Sequence, residues 1–451
     1  MNRHVLAMPR SAAMVLVLAG TAGCVSTDPR ADVERSQALI AERAGLHTDW
    51  LTPLDAAADR WDGESDLAAG DAVAIALARN PALRAQLEVV AAARADLAQA
   101  GLLPNPVLSL SLGFPIAGAD GGTSVGASLV QNFASLLSRG RRIDAAAADL
   151  DRAVLELSDH ALALAARTHA LHTRADFAER AAALGEENAS LVRRSLQITN
   201  RRVEAGEASR LDANRVRVVL LQTEVESAHL RAAAEAARRE LLATMGLPGA
   251  SASWRPAASP DAPVPVCDEQ AVIELALTLR LDVAAAQAAA NAAAARAGAA
   301  DRSRLTDIEA GADYERDEDG RDTLGPSIAV EVPLFDTGAA RAVAARAEAR
   351  RAEHEAAAIR NAAIGQARAA WVNALADARA ANVFAAEIVQ LADENLDLAR
   401  RAYDAGETDL TVLLDTQRER LRVKLELIRL RERAALSRIE LWRAGGGRLP
   451  D

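Results

Sequence analysis

Four carboxylates sit where charge has consequences. Asp307, Glu309 and Asp313 alternate with Ile308, Ala310, Ala312 and Tyr314, and Glu331 stands between Val330 and Val332. In an extended chain, alternation puts the acids on one side and the apolar residues on the other. A wet acidic face raises the local cation concentration, and the effect is screened over about 8–10 Å at ordinary salt. Bond-making chemistry has no comparable signal. Ser, His and Asp occur, but nothing resembles GxSxG, a P-loop or a paired-carboxylate site. Seven scattered histidines give no HExxH or related zinc spacing, and two cysteines exclude both a disulfide scaffold and a Cys-rich zinc protein. The residues therefore predict no enzyme, no metal site and no cofactor.

The composition describes the elements that must carry those acids. The chain has 451 residues, half of them apolar, yet only five Trp, two Tyr and five Phe. A thick globular core needs aromatic volume, so alanine-rich helices packed through small side chains are expected instead. A net charge of −11 argues against a nucleic-acid partner.

The first segment reads as an address. Arg3 and Arg10 precede an apolar run, Ala12 to Ala19, and then Gly20-Thr21-Ala22-Gly23-Cys24. A charged start, a short apolar stretch and small residues predict a signal peptide over 1–23. Ala22-Gly23-Cys24 resembles a bacterial lipoprotein box, which predicts a lipid on Cys24 and a lipidated N-terminal segment over 24–70. Val25 after the cysteine, rather than Asp, favours the outer membrane.

The remainder is written twice. Ala205-Gly206-Glu207 recurs as Ala405-Gly406-Glu407, an offset of 200. Phe133 and Phe335 each follow an alternating run, and each precedes a glycine, Gly140 or Gly338, expected to open a long helix. Two structural repeats follow, over 71–250 and 268–447, joined by a Pro-rich linker over 251–267. Each repeat is expected to hold an Ala-rich helix (71–101 and 269–302), two strands, a very long helix, a Gly turn and another long helix. The stripe Ile143, Leu150, Leu157, Leu164, Leu171, Ala178 and its partner Ala147, Val154, Ala161, Thr168, Ala175, Ala182 predict a coiled-coil seam. In the second half the predicted stripe is Ile364, Trp371, Ala378, Ala385, Ala392, Ala399. A helix over 140–203 would be on the order of 95 Å long.

Four alternating segments break the helical pattern: Leu108 to Phe114, Val125 to Leu129, Asp307 to Tyr314, and Ile328 to Leu334. Each is about long enough to cross an outer membrane as a tilted strand. Ala119-Asp120-Gly121-Gly122 and Asp319-Gly320 predict hairpin turns. Four strands cannot close a transmembrane barrel, and an open sheet leaves backbone unpaired in lipid, so several copies must share one.

Four stretches now resemble one family. Leu77-Ala78-Arg79-Asn80-Pro81-Ala82-Leu83, Gly101-Leu102-Leu103-Pro104-Asn105-Pro106, Pro333-Leu334-Phe335-Asp336-Thr337-Gly338 and Ala405-Gly406-Glu407-Thr408-Asp409-Leu410 are similar to TolC-type outer-membrane efflux proteins. The resemblance implies a mainly α chain with a small membrane β-barrel portion. Its long coiled-coil helices would form a periplasmic α-barrel, and its four strands would join a twelve-stranded barrel in a homotrimer. It implies a passive outer-membrane duct exporting small molecules or metal cations, working with a periplasmic membrane-fusion adaptor and an inner-membrane pump, foremost of the RND type. The alternative is the outlet of a type I protein secretion system.

The resemblance further assigns Gly206, Glu207, Gly406 and Glu407 to the adaptor-docking tip. It makes Asp212, Tyr403 and Asp415 candidates for the aperture, while strand alternation places Asp307, Glu309, Asp313 and Glu331 opposite the lipid-facing residues and hence towards the lumen. Thr408 stands where the family's best-known member has an arginine. Any constriction is therefore expected to rest on packing, on Tyr403 contacts and on acidic rings.

Overall fold

The computed structural model describes residues 26–50, 61–114, 122–251, 253–265, 267–300, 308–317, 319–332 and 334–449. Cys24, Asp307 and the turn residues 119–121 lie outside the described residues. The order of elements is α1 (Arg30–Ala44), α2 (Ala69–Arg79), α3 (Pro81–Ala100), β1 (Val107–Gly113), β2 (Ser124–Asn132), α4 (Ala134–Glu204) and α5 (Arg210–Thr244). The second half gives α6 (Glu269–Leu279), α7 (Leu281–Ala300), β3 (Ile308–Arg316), β4 (Asp322–Val330), α8 (Ala339–Val383), a π-helical turn (Phe384–Ile388), α9 (Val389–Asp404) and α10 (Leu410–Ala444). Among the described residues no helix is long and apolar enough to cross a membrane.

The expected Ala-rich helix of each half is two helices. In the first half Asn80 makes the break, accepting from the Ala82 and Leu83 N–H groups at 2.9 and 3.2 Å with Pro81 in the first helical position. The second half breaks at Arg280 without a proline. Both breaks are also met by the backbone from the other end of their half. Gly246 and Gly446 close α5 and α10 with positive φ, and their backbones press on the breaks. A Cβ on Gly246 would lie 2.8 Å from the Arg79 carbonyl oxygen, and one on Gly446 would lie 2.8 Å from the Leu279 carbonyl carbon. Each half thus begins and ends at one point.

Helix α4 runs unbroken for 71 residues, roughly 105 Å at about 1.5 Å per residue. Gly140 does not open it. The helix starts six residues earlier, where the Asn132 side chain accepts from the Ser135 N–H at 3.2 Å. Gly338 does open α8, with φ 73°, and its N–H donates to Asp336 Oδ1 at 2.9 Å. The predicted seam of α4 is buried at Leu150, Val154, Leu157, Ala161, Thr168, Leu171 and Ala175. Each fully buried leucine contributes about 1.5–3 kcal/mol. In α8 the buried line is Ala363, Ala367, Ala370, Ala374, Ala378 and Ala381. Ile364 and Trp371 flank that line, half-buried, because the alanines allow the closest backbone approach.

Helix α1 straps both halves. Arg94 holds the buried Asp32 through two 2.6 Å bonds, and the Ser36 and Ser158 hydroxyls meet at 2.7 Å. Arg43 donates to the Leu279 carbonyl, and Arg448 to the Glu42 carbonyl.

The strands form one antiparallel sheet in the order β1-β2-β3-β4, with β1 and β4 at its edges. The register aligns Leu110 with Ala127 and Tyr314 with Leu324, so one face is apolar across all four strands. Leu110, Leu112, Leu324 and Ile328 on that face are 74, 63, 78 and 76 % exposed. Pro326 cannot donate to a ladder and is tolerated because β4 is an edge. β4 ends at Val330, so Val332 and Leu334 lie beyond the strand expected to contain them.

Candidate functional site

Two regions carry the residues singled out above: the turns at the far end of the helices, and the polar face of the sheet. At the first turn the Ala205, Gly206 and Glu207 N–H groups donate to the Arg201, Val203 and Arg202 carbonyls at 3.0, 3.1 and 2.8 Å. The second repeats this at Ala405, Gly406 and Glu407, with the same three distances. Gly206 and Gly406 have φ 78° and 74°, which an L side chain adopts only under strain. A Cβ would meet nothing within 4 Å at either position, so backbone conformation alone requires glycine there.

Asp212 has a local task. Its carboxylate accepts from the Ser209 N–H and hydroxyl at 3.2 and 2.6 Å, while its own N–H donates to Ser209 Oγ. This capping box starts α5, and the Ser209 bonds hold the carboxyl below its ordinary pKa. Asp415 pairs with Arg418 at 3.4 Å on its own helix. Neither acid is the partner of Tyr403. The Tyr403 hydroxyl accepts from Arg202 Nη1 at 2.9 Å, and the guanidinium carbon lies 5.4 Å from the ring centroid. Glu207 is 3.9 Å from the same guanidinium. Tyr403 thus meets an arginine of the first half, while Thr408 stands in the Gly406 turn of its own hairpin. Val192, Val216, Leu220 and Leu414 form a small core behind these turns. Arg418 also reaches Gln222 on α5 at 3.2 Å.

On the sheet, Asp313 stands opposite Ser128 and Gly325, and Glu309 opposite Asn132 and Ala329. Glu315, opposite Gly126 and Thr323, joins them on the polar face. Strand alternation could have found Glu315, which is two residues beyond Asp313. Ser109, Ser111, Ser128, Asp313 and Glu315 line a shallow groove on the sheet. Glu331 lies one residue past the end of β4, and the register assigns it no face. In the β3–β4 turn, Gly320 has φ 81° and Asp317 Oδ1 accepts from the Asp319 and Arg321 N–H groups. Among the described residues no group of three or more His, Cys, Asp or Glu could hold a metal ion.

Long helical hairpins carrying one short sheet with an apolar face and a polar face define the architecture of an outer-membrane channel. The chain is similar to the solved outer-membrane channel OprN, at 19% identity and TM-score 0.71, covering 84% of this chain and 90% of that one. It is similar to VceC of Vibrio cholerae, at 17% identity and TM-score 0.70, covering 84% and 96%. For the open state of the MtrE channel of Neisseria gonorrhoeae the values are 19% and 0.65, covering 83% and 88%. No protein with a curated description matches the sequence. The family model for outer membrane efflux proteins matches twice, over residues 72–247 and 272–447. The chain belongs to the outer membrane efflux protein family.

Proposed function

We propose that this chain is the outlet duct of a tripartite efflux pump. Three copies would close their sheets into one twelve-stranded barrel, with helices α4, α5, α8, α9 and α10 continuing as a periplasmic tube. The observation that carries this reading is the sheet itself. It has two open edges and an apolar face more than half exposed at Leu110, Leu112, Leu324 and Ile328. Such a sheet is stable in lipid only when its edges are closed by further copies. The duct performs no chemistry of its own. It would pass small molecules or metal cations handed on by an inner-membrane pump through an adaptor seated at the Gly206 and Gly406 turns. Cys24 would add a lipid anchor to the barrel. The mass of the detergent-purified protein tests the assembly: about three times the mature chain is expected, and a monodisperse water-soluble monomer would overturn the barrel and the duct together.

A further inference from the structure

The Pro-rich joint between the halves is fastened to the helices and roofs a cavity. The Ser259 N–H donates to Asp176 at 2.7 Å, and Arg180, paired with Asp176, donates to the Ser259 carbonyl at 2.8 Å. Asp261 is matched by Arg431 at 3.4 Å. Between this strap, α4 and α10 lies a half-open space of about 450 Å³, with Trp442, Ile439, Leu449 and the strap prolines on its walls. Pockets of a few hundred Å³ with mainly apolar walls and a few polar groups are the usual form of small-molecule sites.

Of the polar groups in that wall, Thr173, Arg438 and the exposed His169 have no partner among the described residues. Thr173 is 1 % exposed, and its hydroxyl has no hydrogen-bond partner among the described residues. Arg438 also lines the cavity, half-buried, with neither ion pair nor hydrogen bond among the described residues. Since Asp261 is already matched by Arg431, the charge left at the cavity is positive. The guanidinium only donates, the threonine hydroxyl can donate beside it, and a planar guanidinium fits a carboxylate with two parallel bonds.

We propose that this cavity binds a small carboxylate with an aromatic or short aliphatic body. Arg438 and Thr173 receive the carboxylate, and Trp442, Ile439 and the strap pack on the body. The site stands apart from the sheet and the tip turns, so it does not rest on the duct reading.

Equilibrium dialysis of the full-length protein in lipid nanodiscs tests the site, with 1-naphthoate as probe and neutral 1-naphthamide as comparator. Saturable binding of one naphthoate per chain is expected, at least about tenfold tighter than naphthamide, the scale of a charge-assisted hydrogen bond. Arg438→Gln should erase that preference, Arg438→Lys should keep part of it, and Thr173→Val should weaken naphthoate more than naphthamide. Equal binding to wild type and Arg438→Gln, or no saturable naphthoate binding, would overturn the proposal. If Arg438→Gln fails to fold, Thr173→Val decides: an unchanged preference for naphthoate in that variant overturns the proposal equally.

Discussion

Arg202 and Tyr403 fasten the two tip turns of one chain to each other. The guanidinium donates to the phenol oxygen at 2.9 Å and lies over the ring, 5.4 Å from its centroid. The bond contributes about 1 kcal/mol and the cation–π contact about 0.5–1 kcal/mol. Both are small enough to break when another protein seats at the tip. If these turns form the aperture, Arg202→Ala should raise the resting single-channel conductance. Tyr403→Phe, which keeps the ring, should raise it less. Wild-type conductance in Arg202→Ala would remove this pair from the gate.

That pair also marks how far sequence reasoning reaches. The glycines of the tip were legible because positive φ has few other solutions, and the strands because period two is hard to imitate with a helix. The break before Pro81 was written in Asn80-Pro81, yet the break at Arg280 has no proline, and the Gly446 backbone packed against it comes from 166 residues away. In α8 the predicted stripe meets the buried line at Ala378 and stands one position off it at Ile364 and Trp371, where alanines do the packing. Arg202 is one of 52 basic residues, and its partner lies 201 positions on. The offset of 200 between the turns would have placed the two side by side.

The glycines divide into two kinds. Gly206→Val and Gly406→Val should strain a left-handed turn by on the order of 1–2 kcal/mol without a clash. They are expected to lower efflux more than trimer yield. Gly246→Ala and Gly446→Ala add a collision with backbone at 2.8 Å and should lower folded yield first. Comparing drug susceptibility with the amount of purified trimer separates them; equal yield losses in all four would erase the distinction.

Burial among α4, α7 and α10 holds the Asp159 carboxyl above the ordinary carboxylate range, with Arg443 at 3.9 Å offsetting part of the effect. A raised folded pKa gives stability that is present below the unfolded value, about 3.9, and is lost as pH rises through the folded value. Asp159→Asn should therefore raise the melting temperature at about pH 7 and by less at about pH 3. A gain that grows on acidification would reverse the assignment.

Glu309, Asp313 and Glu315 share the polar face of the sheet. Repeated around a closed barrel, they would make the pore prefer cations, and more weakly as salt rises. Reversal potentials in a planar bilayer under a KCl gradient measure this. Neutralising all three to Gln or Asn should move the potential towards zero, and an anion-directed potential in the wild type would turn the sheet inside out.

Cys24 is expected to carry lipid. Metabolic labelling with a palmitate analogue should mark the wild type and spare Cys24→Ser, while the mutant still assembles. Equal labelling of both would withdraw the anchor.

Because Gly246 rests on Arg79 and Gly446 on Leu279, each half is a loop that returns to its own starting point. Ala44 of the strap reaches the same neighbourhood, against Gly447. Neither half needs the other to bring its ends together, and fusing two copies head to tail displaces nothing inside them. A circular permutant opened in the 251–267 joint, with a new tether between the old termini, would trace the same closed contour from a different origin.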